Sequence, residues 1–191
     1  GAETFTNANL STSSVSVDAY GSYVFRWTEV NGTCSSFDDV TVVFWEAPSA
    51  SVAGANQALC NTSVFTLGAT VPVVGAGQWS YVSGAAVTIT NTNSATTTVT
   101  GLTAGSSVTL RWTVSNGPVC AALTSDVTLT NDVLPVADAG TGGNVCGIGV
   151  ANSFVLSGSP TVGTGTWTKF SGPGAETFTN ANLSTSSVSV D

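Results

Sequence analysis

The sequence predicts an all-β chain built of tandem sandwich domains, and three observations predict it. Thr, Ser, Gly, Ala and Val dominate, while Glu, Lys, Arg, Gln and Met are scarce; β-branched residues favour pleated strands, and the missing types are the helix formers. Apolar residues recur with period two over short runs punctuated by Gly, Pro, Asn and Ser. The chain also repeats itself: GAETFTNANLSTSSVSVD stands at 1–18 and again, unchanged, at 174–191.

That identity sets a long period of 173 residues. A weaker repeat lies inside it. WTEVNGTC (27–34) answers WTVSNGPVC (112–120), FDDVTV (37–42) answers TSDVTL (124–129), and GAGQWSYVSG (75–84) answers GTGTWTKFSG (163–172). Cys34 and Cys120 stand 86 residues apart, as do Cys60 and Cys146. The unit is therefore a pair of related domains, A and B, in alternation. The Pro-containing stretches EAPSAS (46–51) and NDVLPVADAG (131–140) mark the junctions. Residues 1–47 are expected to be the back part of an A domain, 48–134 a complete B domain, and 135–191 the front part of the next A domain. We expect the chain to be a window on a longer array; ends that complete each other by swapping between chains are the alternative.

The B domain then reads element by element. SVAGA (51–55) is expected as a first short strand, broken by Gly54, and VFTLGA (64–69) as the second. GQWSYV (77–82) is the third, with Trp79 and Tyr81 on one face. AVTIT (86–90) and TTTVTG (96–101) follow. SVTLRWTVS (107–115) places Val108, Leu110, Trp112 and Val114 inward and Thr109, Arg111, Thr113 and Ser115 outward. SDVTLTND (125–132) closes the domain. Seven short strands with this alternation are the pattern of a β-sandwich. In A, Tyr23, Phe25 and Trp27 alternate with Val24, Arg26 and Thr28. Strand phase assigns Trp79 with Trp112, and Trp167 with the next copy of Trp27, to cores. Trp45, in VVFWEAP, has no counterpart in B. We expect it to pack between domains; contact with a glycan is the second reading.

The motifs PVADAG, GTWTKFSGPG, YVFRWTEVNGTC and DDVTVVF resemble the PKD-type and related Ig-like repeats of giant cell-surface proteins in Bacteroidota, including gliding-motility adhesins. The resemblance covers the whole chain. It implies Ig-like (PKD-like) domains, secretion, surface attachment and tandem arrangement, and it transfers no catalytic or binding residue.

Extracellular β-domains of low charge often carry disulfides, which makes Cys34, Cys60, Cys120 and Cys146 disulfide candidates. Cys60 precedes the second strand and Cys120 follows the sixth, so the two are expected at opposite poles of B. In a head-to-tail array the early cysteine of one domain approaches the late cysteine of the next. Cys60 would then pair with the next copy of Cys34, and Cys120 with the preceding copy of Cys146. Cys60–Cys120 within B is the alternative. Metal binding fits poorly, with no C-x-x-C and no His.

Three basic residues face eleven acids, a net charge of −8, and only 7% of the chain is charged. Nucleic acid and anionic membrane surfaces are poor partners for such a chain, and no apolar run reaches the roughly 18 residues of a span. Without His, a Ser–His–Asp or Cys–His site is excluded; Glu29 and Glu46 lack a visible carboxylate partner. Asp38, Asp39, Asp126 and Asp138 read as solvated loop acids rather than calcium ligands. Asn9, Asn31 and Asn61 head N-x-S/T sequons, a frequent chance event in a Ser/Thr-rich chain. No enzyme and no cofactor is expected. The expectation is an extracellular structural repeat, the shaft of a fibre or adhesin. Its partners would be adjacent repeats, neighbouring copies in a filament, or surface glycans; a glycan-binding module is the alternative function.

Overall fold

The computed structural model describes residues 1–191. The chain is all-β: fourteen strands and one 3-10 turn, Val150–Asn152. It divides into two compact units. The first holds 1–58, 63–102 and 106–130; the second holds 59–62, 103–105 and 131–191.

The central sandwich is built from seven strands: β5 (Gln57–Cys60), β6 (Val64–Gly68), β7 (Ala76–Gly84), β8 (Thr88–Ile89), β9 (Thr96–Thr100), β10 (Ser106–Ser115) and β11 (Leu123–Asp132). One sheet has the order β5-β11-β10-β7, the other β6-β9-β8. The period-two pattern decides which residues fill the space between them. Phe65 and Leu67 come from β6, Val99 from β9, Val108, Leu110, Trp112 and Val114 from β10, and Val127 and Leu129 from β11; all are buried. Each such side chain contributes about 1.5–3 kcal/mol of burial. Trp79 and Trp112 meet at 5.0 Å between ring centroids, tilted by 47°. Trp79 Nε1 donates to Ser94 O at 3.1 Å. Trp112 Nε1 is buried without a partner, a cost of about 1–3 kcal/mol that the large buried ring outweighs.

Two sequence expectations need correction here. The first strand is Gln57–Cys60 rather than 51–55. Residues 51–55 make single tethers instead of a ladder: Thr70 N–H donates to Val52 O, Ser51 Oγ to Trp112 O and Ala53 N–H to Ser125 Oγ. Pro48 has no N–H to offer, and Gly54 adopts φ +91, so regular pairing is broken on both sides. On β7, Trp79 enters the core but Tyr81 remains exposed. The register with β10 shifts beside it, and its hydroxyl donates to Gly84 O.

Residues 1–47 form two hairpins in the same unit. β1 (Glu3–Phe5) pairs with β2 (Val15–Val17), and β3 (Gly21–Asn31) with β4 (Cys34–Phe44) from Gly21↔Phe44 to Asn31↔Cys34. Gly32, at φ +60, allows the tight turn. Tyr23 and Phe25 are half-buried, Phe25 edge-on to Phe5 at 5.6 Å and Tyr23 edge-on to Phe44 at 5.6 Å.

In the second unit, β12 (Phe154–Val155), β13 (Glu176–Phe178) and β14 (Ser187–Val190) form a sheet of order β12-β14-β13. The duplicated segment folds the same way twice. Glu3 pairs with Val17, and Glu176 with Val190, the same register 173 residues on. Identical words give identical hairpins because the determinants are local.

Candidate functional site

No cluster of chemistry-bearing side chains draws the eye in this molecule; what it offers are two incomplete faces and one junction. No three His, Cys, Asp or Glu side chains come together, and no helix is long and apolar enough to cross a membrane.

The first incomplete face surrounds Trp167. Two of its hydrogen bonds copy those of Trp79. Trp79 N–H donates to Thr92 O at 2.7 Å and Trp167 N–H to Ala181 O at 2.8 Å. Trp79 Nε1 donates to Ser94 O, and Trp167 Nε1 to Leu183 O at 3.0 Å. The difference is what stands beside it: β10 pairs with β7 in one sheet and sets Trp112 directly across from Trp79. A Cβ added to Gly77 would lie 1.9 Å from the Trp112 ring, whereas one on its counterpart Gly165 would meet nothing within 4 Å. Where the central sandwich holds Trp112, residues 135–191 hold an open groove of about 450 Å³, lined by Pro135, Val136, Gly158, Thr166, Trp167 and Leu183 among others.

The second incomplete face is on β3–β4. Trp27 is 40% exposed, and Val24, Val30, Phe37 and Val40 are exposed as well. The core role expected from strand phase is thus met by Trp79 and Trp112, while Trp27 is exposed and Trp167 half-buried. The physical reason is that residues 1–47 set only the short β1–β2 pair against β3–β4, with Phe5 on Phe25, whereas Trp112 has Trp79 against it and a three-stranded second sheet in its sandwich.

The junction lies between β4 and the central sandwich. Trp45 packs on the turn at Gly117, where an added Cβ would fall 2.3 Å from the indole. Asn116 Nδ2 donates to Glu46 O at 2.9 Å. Cys120 Sγ lies 3.5 Å from the same carbonyl and 3.9 Å from Trp45 O. Trp45 as a residue stays 40% exposed. The N-G pair that follows each R-W-T strand recurs in the sequence, but its contacts with Trp45 and Glu46 come from the structure alone.

Cys34, Cys60 and Cys146 are exposed, Cys120 is half-buried, and all four are unbonded. Cys34 opens β4 at the tip of its hairpin. Cys60 ends β5, and the next residue, Asn61, donates its N–H to Asp132 O at 2.8 Å.

The acids Asp38, Asp39 and Asp126 stand on strands rather than in loops. Arg26 grips Asp39 with two hydrogen bonds, 2.8 and 2.9 Å, and Arg111 grips Asp126 with two, 2.7 and 2.8 Å. These bonds hold both carboxyls below their ordinary range and raise both guanidinium values. Arg26 also lies 3.8 Å over the Phe37 ring. Glu176 is lowered first by a backbone hydrogen bond and then by Lys169, 3.2 Å away. Sequence reasoning missed the two Arg–Asp pairs. The signal was available: each R-W-T faces an S/D-D-V-T across a hairpin.

No family model matches the chain, and no curated protein matches it. Among solved structures, an endo-fucoidan hydrolase from glycoside hydrolase family 107 is similar over 98% of this chain and 32% of that one, at 16% identity and a TM-score of 0.30. The chain thus spans about a third of that protein's length.

Proposed function

We propose that this chain is one period of a longer tandem array of Ig-like sandwich domains, the shaft of a secreted cell-surface fibre or adhesin stalk that extends and bears load. The reading is non-catalytic. One observation carries it: the Trp167 groove lacks the very element that β3 displays. In the central sandwich Trp112, on an R-W-T strand, fills the space before Trp79 and Gly77. The open space before Trp167 and Gly165 has the same frame, and Trp27 stands exposed on the other R-W-T strand. A neighbouring repeat brings the two together and completes an A domain. Burying Trp27 and its neighbours there would be worth several kcal/mol, so the array is held by the same core that holds B.

The low charge, the Thr-rich outer faces and the resemblance to Bacteroidota surface repeats support an exported, solvated shaft, with surface adhesion or gliding as its setting. Trp45 then serves the shaft by locking one junction, with one ring face against Gly117. The test is force spectroscopy of the native protein after reduction. Serial unfolding events should each release one domain of 86 residues, roughly 30 nm of contour before the folded length is subtracted. A single event, or steps of unrelated size, would oppose the array.

A further inference from the structure

We propose that the array is covalently stapled at its junctions: Cys120 bonds to the preceding repeat's copy of Cys146, and Cys60 to the following repeat's copy of Cys34. The inference rests on the tandem reading.

The late cysteine of a domain is fixed on its predecessor. Cys120 Sγ lies 3.9 Å from Trp45 O and 3.5 Å from Glu46 O, at the end of the preceding exit strand. The early cysteine is fixed at the exit of its own domain. Cys60 is followed by Asn61, whose N–H donates to Asp132 O at 2.8 Å. Trp45 and Asp132 are equivalent positions. The sequences D-V-T-V-V-F-W-E-A-P from Asp39 and D-V-T-L-T-N-D-V-L-P from Asp126 align without a gap, and Trp45 and Asp132 hold the same place in them. The residue after the early cysteine of one domain and the late cysteine of the next are therefore both held at the same exit position of the strand.

Cys60 ends β5 and Cys146 lies outside any strand, yet a residue of positive φ follows both. Asn61 has φ +46, the sole non-glycine with positive φ, and Gly147, after Cys146, has φ +94. A left-handed residue follows each early cysteine. By the sequence repeat that relates Cys60 to Cys146, Cys146 would stand at the exit of A, where the next B would place Cys120.

The same geometry opposes a bond within B. Cys60 stands beside the last residues of β11, and Cys120 comes before its first. The ten residues of that strand span roughly 30 Å, against about 4.4–6.8 Å between bridged Cα atoms.

Formation of each staple joins two thiol sulfurs and releases two protons and two electrons. The electrons pass to the disulfide of an exchanging thiol oxidoreductase in the export compartment, which leaves as a dithiol.

The chain's three basic residues make the test decisive. Trypsin cuts after Arg26, Arg111 and Lys169, so Cys34 and Cys60 share one peptide (27–111) and Cys120 and Cys146 share another (112–169). The native protein is alkylated, denatured at acidic pH and digested without reductant. Its reduced mass is measured first: a mass that excludes a second period refutes the array itself. Given an array, staples between repeats produce ladders of each peptide joined only to its own kind, and reduction collapses each ladder to one species. Mixed dimers of 27–111 with 112–169 would overturn the proposal in favour of Cys60–Cys120. Monomeric peptides, whether alkylated or closed within one repeat, would overturn it as well. In either case the array would still stand.

Discussion

Two R-W-T strands, 85 residues apart in the chain, have the same local structure and opposite surroundings. Arg111 and Arg26 each grip an aspartate across a hairpin with two hydrogen bonds. Trp112 is 1% exposed and Trp27 is 40% exposed. Local pairing follows from residues a few positions away along a hairpin, so it survives wherever the words occur. Burial requires facing strands: the central sandwich supplies three from 64–100, whereas the segment 1–47 has only the short β1–β2 pair, whose Phe5 packs against Phe25. The comparison separates what a strand specifies alone from what only a neighbour can give it.

The largest expected effect breaks this comparison directly. Trp112→Ala should cost about 3–5 kcal/mol, enough to unfold a modest sandwich, as read by circular dichroism in a urea titration. Trp27→Ala in this chain should cost less than about 1 kcal/mol. In an array of the proposed kind the two losses should become similar.

A smaller effect probes the same space from the glycine side. Gly77→Ala drives a methyl into the Trp112 ring and should cost about 1–3 kcal/mol. Gly165→Ala should be close to neutral in this chain, because nothing stands within 4 Å, and costly in the array. Thermal melts of both variants, in both contexts, make the check.

The junction comes next. Gly117→Ala meets Trp45 and also forces a side chain onto φ +69, a strain of about 1 kcal/mol or more. It should free Trp45, raising its quenching by iodide, while the central sandwich loses no more stability than that strain.

The smallest effect is electrostatic. Asp39 and Asp126 are held below the ordinary carboxylate value by their arginines. Their contribution is present above the unfolded value of about 3.9 and is lost as pH falls through the lowered folded value. Both pairs are well exposed to solvent, so Asp126→Asn should flatten the acid limb of stability only slightly, and less so at high salt.

Much of this was legible in the sequence, for a reason visible in particular residues. Val108, Leu110, Trp112 and Val114 are one uninterrupted period-two run, and the structure buries all four. The strand at 51–55 was misplaced because Val52 and Ala53 look like strand residues; their tethers run to side chains and loops, which alternation does not encode. Tyr81 follows Trp79 in phase, yet a register shift beside it leaves it exposed. The Arg–Asp pairs escaped because each joins residues 13 or 15 apart, and only hairpin register makes them face each other. The groove before Trp167 was legible only as a missing tryptophan, through the repeat; its shape comes from the structure.

The central claim is that Trp27 is a core residue of a domain completed by a neighbouring repeat. Hydroxyl-radical footprinting of the native protein, read residue by residue on peptide 27–111 and on Trp112, tests it most directly. The account requires Trp27 to be as protected as Trp79 and Trp112, with Trp45 modified more than all three. A Trp27 oxidised as readily as Trp45 in the native protein would contradict it.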